Sequence, residues 1–311
     1  METPTKPLLP YHAGSQLRAY ADGILPEPDP ARAGYSQSSL GRAFLDLKVA
    51  VPLQVGDGTP VQVFTVVLCG SSGEKKYSEL KMQPQTLLVA KAFDPLYCYD
   101  GDDRYLDAFR EVERLYAHEV QSYQVLSDYQ GQGIPKFYGS FSLCLLVSGT
   151  TSRREVPMVL IGCVKGSSMM SLKPEQIPQS VRQHILRTMI ELESSIYENN
   201  VDMLDLAPRN TMLIRPDGVK PEVVFIDFAD VQFRSDRHYW DGDIPRKLSS
   251  QYISPLLRWK GGPRMGFEGW ADWDWDSWLE REFAHTKNTI TPEMGEHWLG
   301  GGQSICEFER A

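Results

Sequence analysis

Long apolar runs are missing from this sequence. The longest stretches, such as VPMVLIGCV at 156–164, reach about half of the ~20 residues a membrane-spanning helix needs, so no membrane crossing is expected. The start METPTKPLLP lacks a basic segment followed by a long apolar one, so no signal peptide is expected. Cysteine is sparse: Cys69, Cys98, Cys144, Cys163 and Cys306 stand far apart with no CxxC pair, which points to a reducing compartment. All but Cys306 have apolar or aromatic neighbours and are expected to be buried and inert. The six histidines form no HxH or HExxH pattern, so no zinc site is assigned. Bases are also in deficit, 32 against 41 acids for a formal charge of −9. That balance argues against general binding to nucleic acid or anionic lipid. A soluble intracellular, cytoplasmic protein is expected, with the nucleus also open to it.

What is present suffices for a core. With 41% hydrophobic and 11% aromatic content over 311 residues, disorder is excluded and one large core or two smaller ones can form. Residues 1–43 carry Pro4, Pro7, Pro10, Pro26, Pro28 and Pro30, which predicts an irregular arm that packs through Leu17, Tyr20 and Ile24. From 44 to about 165 the texture is mostly strand: FLDLKVAVPLQV alternates, VQVFTVVLC is β-branched, and LLVAKAF, FYGSFSLCLLVSG and EVPMVLIGCV follow. One helical segment interrupts it, where Phe109, Val112, Tyr116, Val120, Tyr123 and Leu126 recur at three or four residues. After 166 the pattern turns helical, with an apolar stripe of Val181, Ile185, Met189, Leu192 and Ile196. Two short strands follow, TMLIR and EVVFIDF, and then a tail holding all seven tryptophans. No internal repeat is visible.

Five fragments stand in a telling order: GDG at 56–58, VAK ending at Lys91, the helical Glu119, LDLAPRN at 204–210 and IDFAD at 226–230. Alone, Lys91 could snorkel from a strand end and Glu119 could be a solvated acid; Asp205 or Asn210 could simply cap a turn. Together, over roughly 44–235, they resemble the protein kinase superfamily. The phrases IPKFYGSF and EGWADWDWDSWL also look like a group of uncharacterised fungal kinase-like proteins.

The resemblance implies a two-lobed α+β protein-kinase-like fold, with a strand-rich N-lobe at 44–164 and a helical C-lobe at 165–311. It implies ATP and Mg²⁺ as cofactors, because phosphoryl transfer is mostly positioning and charge neutralisation. Lys91 would hold the α- and β-phosphates, and Glu119 would fix its ammonium group. Asp205 would orient the acceptor hydroxyl and take its proton. Asn210 and Asp227 would bind the metal. Gly56 and Gly58 would cover the phosphates, although Val61 stands where a third glycine would be and Asp57 would repel them. A hinge at Gly162, Cys163 and Val164 would read adenine through its backbone, with Ile161 as the apolar wall.

Several positions depart from that pattern. Met203 and Leu204 replace the His and Arg before the catalytic aspartate, so switching through a phosphate-paired arginine is not expected. Ala229 replaces the Gly of DFG, and no APE follows. The aromatic and acidic run at 270–278 reads first as tryptophan packing, and second as a pocket for a cation. The expected function is an ATP-dependent phosphotransferase acting on an unknown hydroxyl, of a protein or a small molecule. The alternatives are a small-molecule kinase of the aminoglycoside or choline type and an ATP-binding pseudokinase scaffold.

Overall fold

The alternation read in FLDLKVAVPLQ sends Leu45, Leu47 and Val49 to one side, and all three are buried. The computed structural model describes residues 6–21, 43–72, 85–98, 107–146, 153–216, 218, 220–234, 248 and 251–300. The chain divides into two compact units: residues 1–124 with 135–163, and residues 125–134 with 164–311.

The first unit is built on six strands, β1 (Gln16–Ala21), β2 (Phe44–Gln54), β3 (Val61–Ser71), β4 (Leu87–Phe93), β5 (Phe137–Leu146) and β6 (Arg153–Gly162). They close into an antiparallel barrel in the order β1-β2-β3-β4-β6-β5. Leu45, Leu47, Phe64, Val66, Leu88, Ala90, Phe141, Leu143, Met158 and Leu160 form its core. The helix α1 (Ala108–Val125) buries Val112, Leu115, Tyr116, Glu119 and Tyr123. Phe93 meets Tyr116 edge-on at 5.3 Å, and Phe137 stacks on Tyr123 at 5.1 Å. Phe109, expected on this face, is exposed, and Leu115 takes part instead.

This barrel corrects the expected two-lobed protein-kinase-like fold with a strand-rich N-lobe and a helical C-lobe. The reason lies in the segment read as an irregular arm. Its proline-free stretch QLRAYA is β1, which pairs with β2 on one side and β5 on the other, so the sheet has no open edge there. Ahead of β1, Tyr11 is fully buried, stacks on Phe64 at 5.1 Å and donates to Asp94 Oδ2 at 2.6 Å. Arg154 grips the same carboxylate through two nitrogens at 2.7 and 2.8 Å. Ile24, Trp240 and Cys306 lie outside the described residues.

The second unit mixes helix with sheet, and the two strands read at TMLIR and EVVFIDF are joined there by three shorter ones. Its central helix α2 (Gln179–Glu198) is joined by α3 (Pro255–Arg258), α4 (Trp275–Phe283) and α5 (Pro292–Gly300). One small sheet holds β7 (Ser167–Ser168), β9 (Thr211–Ile214) and β10 (Glu222–Phe225); another pairs β8 (Val201–Met203) with β11 (Val231–Phe233). Glu193 of α2 is buried and accepts from Arg258 Nη1 at 2.9 Å, Arg264 Nη2 at 3.1 Å and Trp259 Nε1 at 3.1 Å. Tyr197 lies between two guanidiniums, those of Arg234 at 3.7 Å and Arg258 at 3.4 Å. The tail tryptophans Trp259, Trp270, Trp275 and Trp278 are buried, as packing requires. The cation near Trp273 and Asp272 is the chain's own Arg182, 5.3 Å from the ring and 2.8 Å from the carboxylate.

Candidate functional site

In the first unit, Lys91 belongs to β4, whose alternate residues Leu88, Ala90 and Ala92 fill the barrel. Lys91 has the opposite phase, beside the outward Phe93 that meets α1. Its ammonium donates to Glu119 Oε1 at 2.7 Å, with side chains 5% and 0% exposed. Sequence order thus anticipated a contact across 28 positions. Such a pair is held at a desolvation cost that the attraction alone does not reliably offset, so its burial is not evidence of stability.

The turn 56–58 sits at the same end of the barrel as Lys91. Gln54 is paired with Val63, and Val63 with Lys91. Gly58 has φ +82°, a conformation glycine adopts without strain. The amides of both glycines are already engaged: Gly56 N donates to Gln62 Oε1 at 2.8 Å and Gly58 N to Asp57 Oδ1 at 3.1 Å. The buried Gln62 also donates to the carbonyls of Gly56 and Thr59. Gln62 was missed in the sequence, although a glutamine interrupting the apolar VQVF was a visible signal. Asp57 Oδ1 accepts from Lys6 Nζ at 2.8 Å, and that bond holds its carboxyl below the usual carboxylate range.

At the expected hinge, Ile161 is buried and paired with both Val89 and Phe137. Gly162 ends β6, its N–H donating to Lys136 O at 2.8 Å. Cys163 and Val164 follow the ladder and are half-buried. None of the four described cysteines is buried, and Cys69 is exposed, contrary to the packing expected of them.

In the second unit, the segments 204–210 and 226–230 are tied at both ends. Leu204 N donates to Asp230 O at 3.2 Å, beside the β8–β11 pair Met203–Val231. Ile226 N donates to Asn210 O at 3.1 Å, beyond the β9–β10 pair Thr211–Phe225. Asn210 and Asp227 therefore stand at one end of the same hairpin. Asn210 Nδ2 donates to Asp205 Oδ2 at 2.8 Å and to its carbonyl at 3.0 Å, so Oδ1 is the amide atom that suits a cation. Arg209 Nη2 bonds the other Asp205 oxygen. Arg209 was not singled out in the sequence, though its position four residues after Asp205 was the signal. Pro208 starts the single turn Pro208–Asn210, and Ser168 Oγ donates to its carbonyl at 2.9 Å.

The sequence pattern placed Asp227 on the strand EVVFIDF. Instead β10 ends at Phe225, and Asp227 is half-buried, accepting from Ala229 N at 3.3 Å. Ala229 is not among the residues with positive φ, so this turn does not need glycine's freedom. Leu204 is exposed, with no charge to offer a phosphate.

Among the described residues no three His, Cys, Asp or Glu side chains converge as a metal cage. Magnesium takes one or two carboxylates and completes its shell with water and phosphate oxygens, so one carboxylate with one amide oxygen fits it. Among the described residues no helix is long and apolar enough to cross a membrane. No family model matches the sequence, and no curated protein matches it.

Proposed function

We propose that the chain is an ATP-dependent phosphotransferase of protein-kinase-like chemistry that moves the ATP γ-phosphate to a hydroxyl. The observation that carries this is the buried Lys91–Glu119 pair, since an ammonium fixed by a helical carboxylate suits the α- and β-phosphates. The acceptor oxygen bonds the γ-phosphorus, the bond to the β–γ bridging oxygen breaks, and ADP leaves. Asp205 orients the hydroxyl and takes its proton. Both of its oxygens are engaged by Arg209 and Asn210, so one of these partners yields when the acceptor arrives. Asn210 Oδ1 and Asp227 would hold Mg²⁺, which when bound supplies positive charge against the phosphates. The acceptor is a protein or a small molecule, as in aminoglycoside or choline phosphotransferases. We also propose an intracellular, cytoplasmic location, supported by Cys69, Cys98 and Cys144, which form no disulfide.

One observation favours the pseudokinase scaffold instead: the amides of Gly56 and Gly58 are spent within the chain. Calorimetry with ATP in Mg²⁺ and in EDTA tests the nucleotide and metal assignments, and transfer of the γ-phosphate to an acceptor separates the transferase from the scaffold. Tighter binding with Mg²⁺, lost mostly in Asp227→Ala and largely kept in Asp205→Ala, supports the ATP and metal assignments. Equal affinity in both buffers removes the metal assignment, and absence of binding removes ATP.

A further inference from the structure

The turn that approaches the nucleotide in the proposed function carries a negative charge at its tip. Asp57 is 61% exposed there, and the glycine amides on either side are occupied by Gln62 and by Asp57 itself. The register places Gln54, three residues before Asp57, two strands from Lys91, on the order of 10 Å. The tip charge is therefore within about two Debye lengths of phosphates held by Lys91, so its effect on them is felt chiefly at low salt.

A segment preceding the barrel answers this charge. Lys6 Nζ donates to Asp57 Oδ1 at 2.8 Å. The backbone behind it is anchored: Tyr97 Oη donates to the carbonyls of Pro7 and Leu8 at 2.9 and 3.2 Å. Further along, Tyr11 is buried against Phe64 and Asp94, and Gly14 N donates to Val49 O at 2.9 Å. An exposed ion pair between flexible chains adds little to stability. Here one partner comes from a strap held at Tyr97, Tyr11 and Gly14, so the backbone behind the lysine is already fixed and only side-chain freedom is lost when it meets the turn.

We propose that Lys6 is a positioning residue for nucleotide binding: it cancels Asp57 at the tip of the 56–58 turn and so lets a polyphosphate approach. The inference rests on the phosphotransferase reading. It assigns to the strap a role that the committed glycine amides do not fill, and the ligand group concerned is the phosphate chain, not adenosine.

The test is calorimetry on the full chain with MgATP and with adenosine, at low and high salt. Lys6→Ala should bind MgATP about three- to tenfold more weakly at low salt, less so at high salt. Adenosine affinity should not change. Asp57→Asn should bind MgATP at least as tightly as the wild type, and Lys6→Ala with Asp57→Asn should recover to within about twofold of it. All variants should melt with the wild type, because the pair is exposed. Unchanged MgATP affinity in Lys6→Ala, or no recovery in the double variant, overturns the role of Lys6 alone. A wild type that binds no MgATP overturns the transferase reading with it.

Discussion

Replacing Glu119 by glutamine leaves the charge of Lys91 in place and removes its carboxylate. Both side chains are almost fully buried, 5% and 0% exposed. Breaking one half of such a pair costs about 3–5 kcal/mol, because a charge stays desolvated without its partner. For a unit of this size each kcal/mol lowers Tm by ~2–4 °C, so a fall of roughly 6–20 °C is expected. Lys91→Met with Glu119→Gln should recover most of it, since two neutral groups of similar volume carry no such penalty. Hydrogen exchange along α1 and β4 is the assay. Trp259, Trp270, Trp273, Trp275, Trp278 and Trp298 belong to the second unit, so their fluorescence reports on that unit while exchange along α1 and β4 reports on the first. A Glu119→Gln protein within about 0.5 kcal/mol of wild type would show that this pair is solvated, and the argument from its burial would fall.

Other outcomes follow from single contacts. Gly166→Ala would set a Cβ 2.4 Å from the Leu213 carbonyl, so the second unit should lose about 1–3 kcal/mol or more in urea unfolding; an unchanged midpoint counts against that packing. Burial pushes the Glu193 carboxyl up, but Arg258 and Arg264 overcome this and hold it below the usual range. Its contribution is therefore present above about pH 4.3 and fades as pH falls through the lower folded value. Glu193→Gln should be less stable at neutral pH and less sensitive to acid, and a wild-type acid curve no steeper than the variant's would refute this. Phosphatase treatment should leave turnover unchanged, because Leu204 is exposed and uncharged; a loss mapped to Ser235, Ser249 or Ser250, outside the described residues, would contradict it.

The pairing of Lys91 with Glu119 was legible through the family resemblance and the order of strand and helix, whereas the hydrogen bond between Asp205 and Asn210 was not read from the sequence. The strand and helix segments were legible from local spacing: β2 alternates, and α2 carries its apolar stripe. Barrel closure was not. It depends on six residues, QLRAYA, whose prolines on either side mark the whole region as irregular, and closure is a long-range event. The fates of Gly56 and Gly58 were hidden too, since a backbone amide leaves no trace of its partner in sequence. Nor could periodicity show that Asp227 lies past the end of β10, because apolar loop residues such as Ile226 extend the pattern beyond the ladder.

Transfer of the ATP γ-phosphoryl group tests the central claim most directly. Radiolabelled ATP with Mg²⁺ is incubated with the full chain against generic protein substrates and pooled hydroxyl metabolites, beside Asp205→Asn. The wild type should label at least one acceptor, and Asp205→Asn should lower turnover by about 10²-fold or more with little change in ATP affinity. No labelling of any acceptor or of water, with Asp205→Asn indistinguishable from wild type, would contradict the transferase and leave the scaffold in its place.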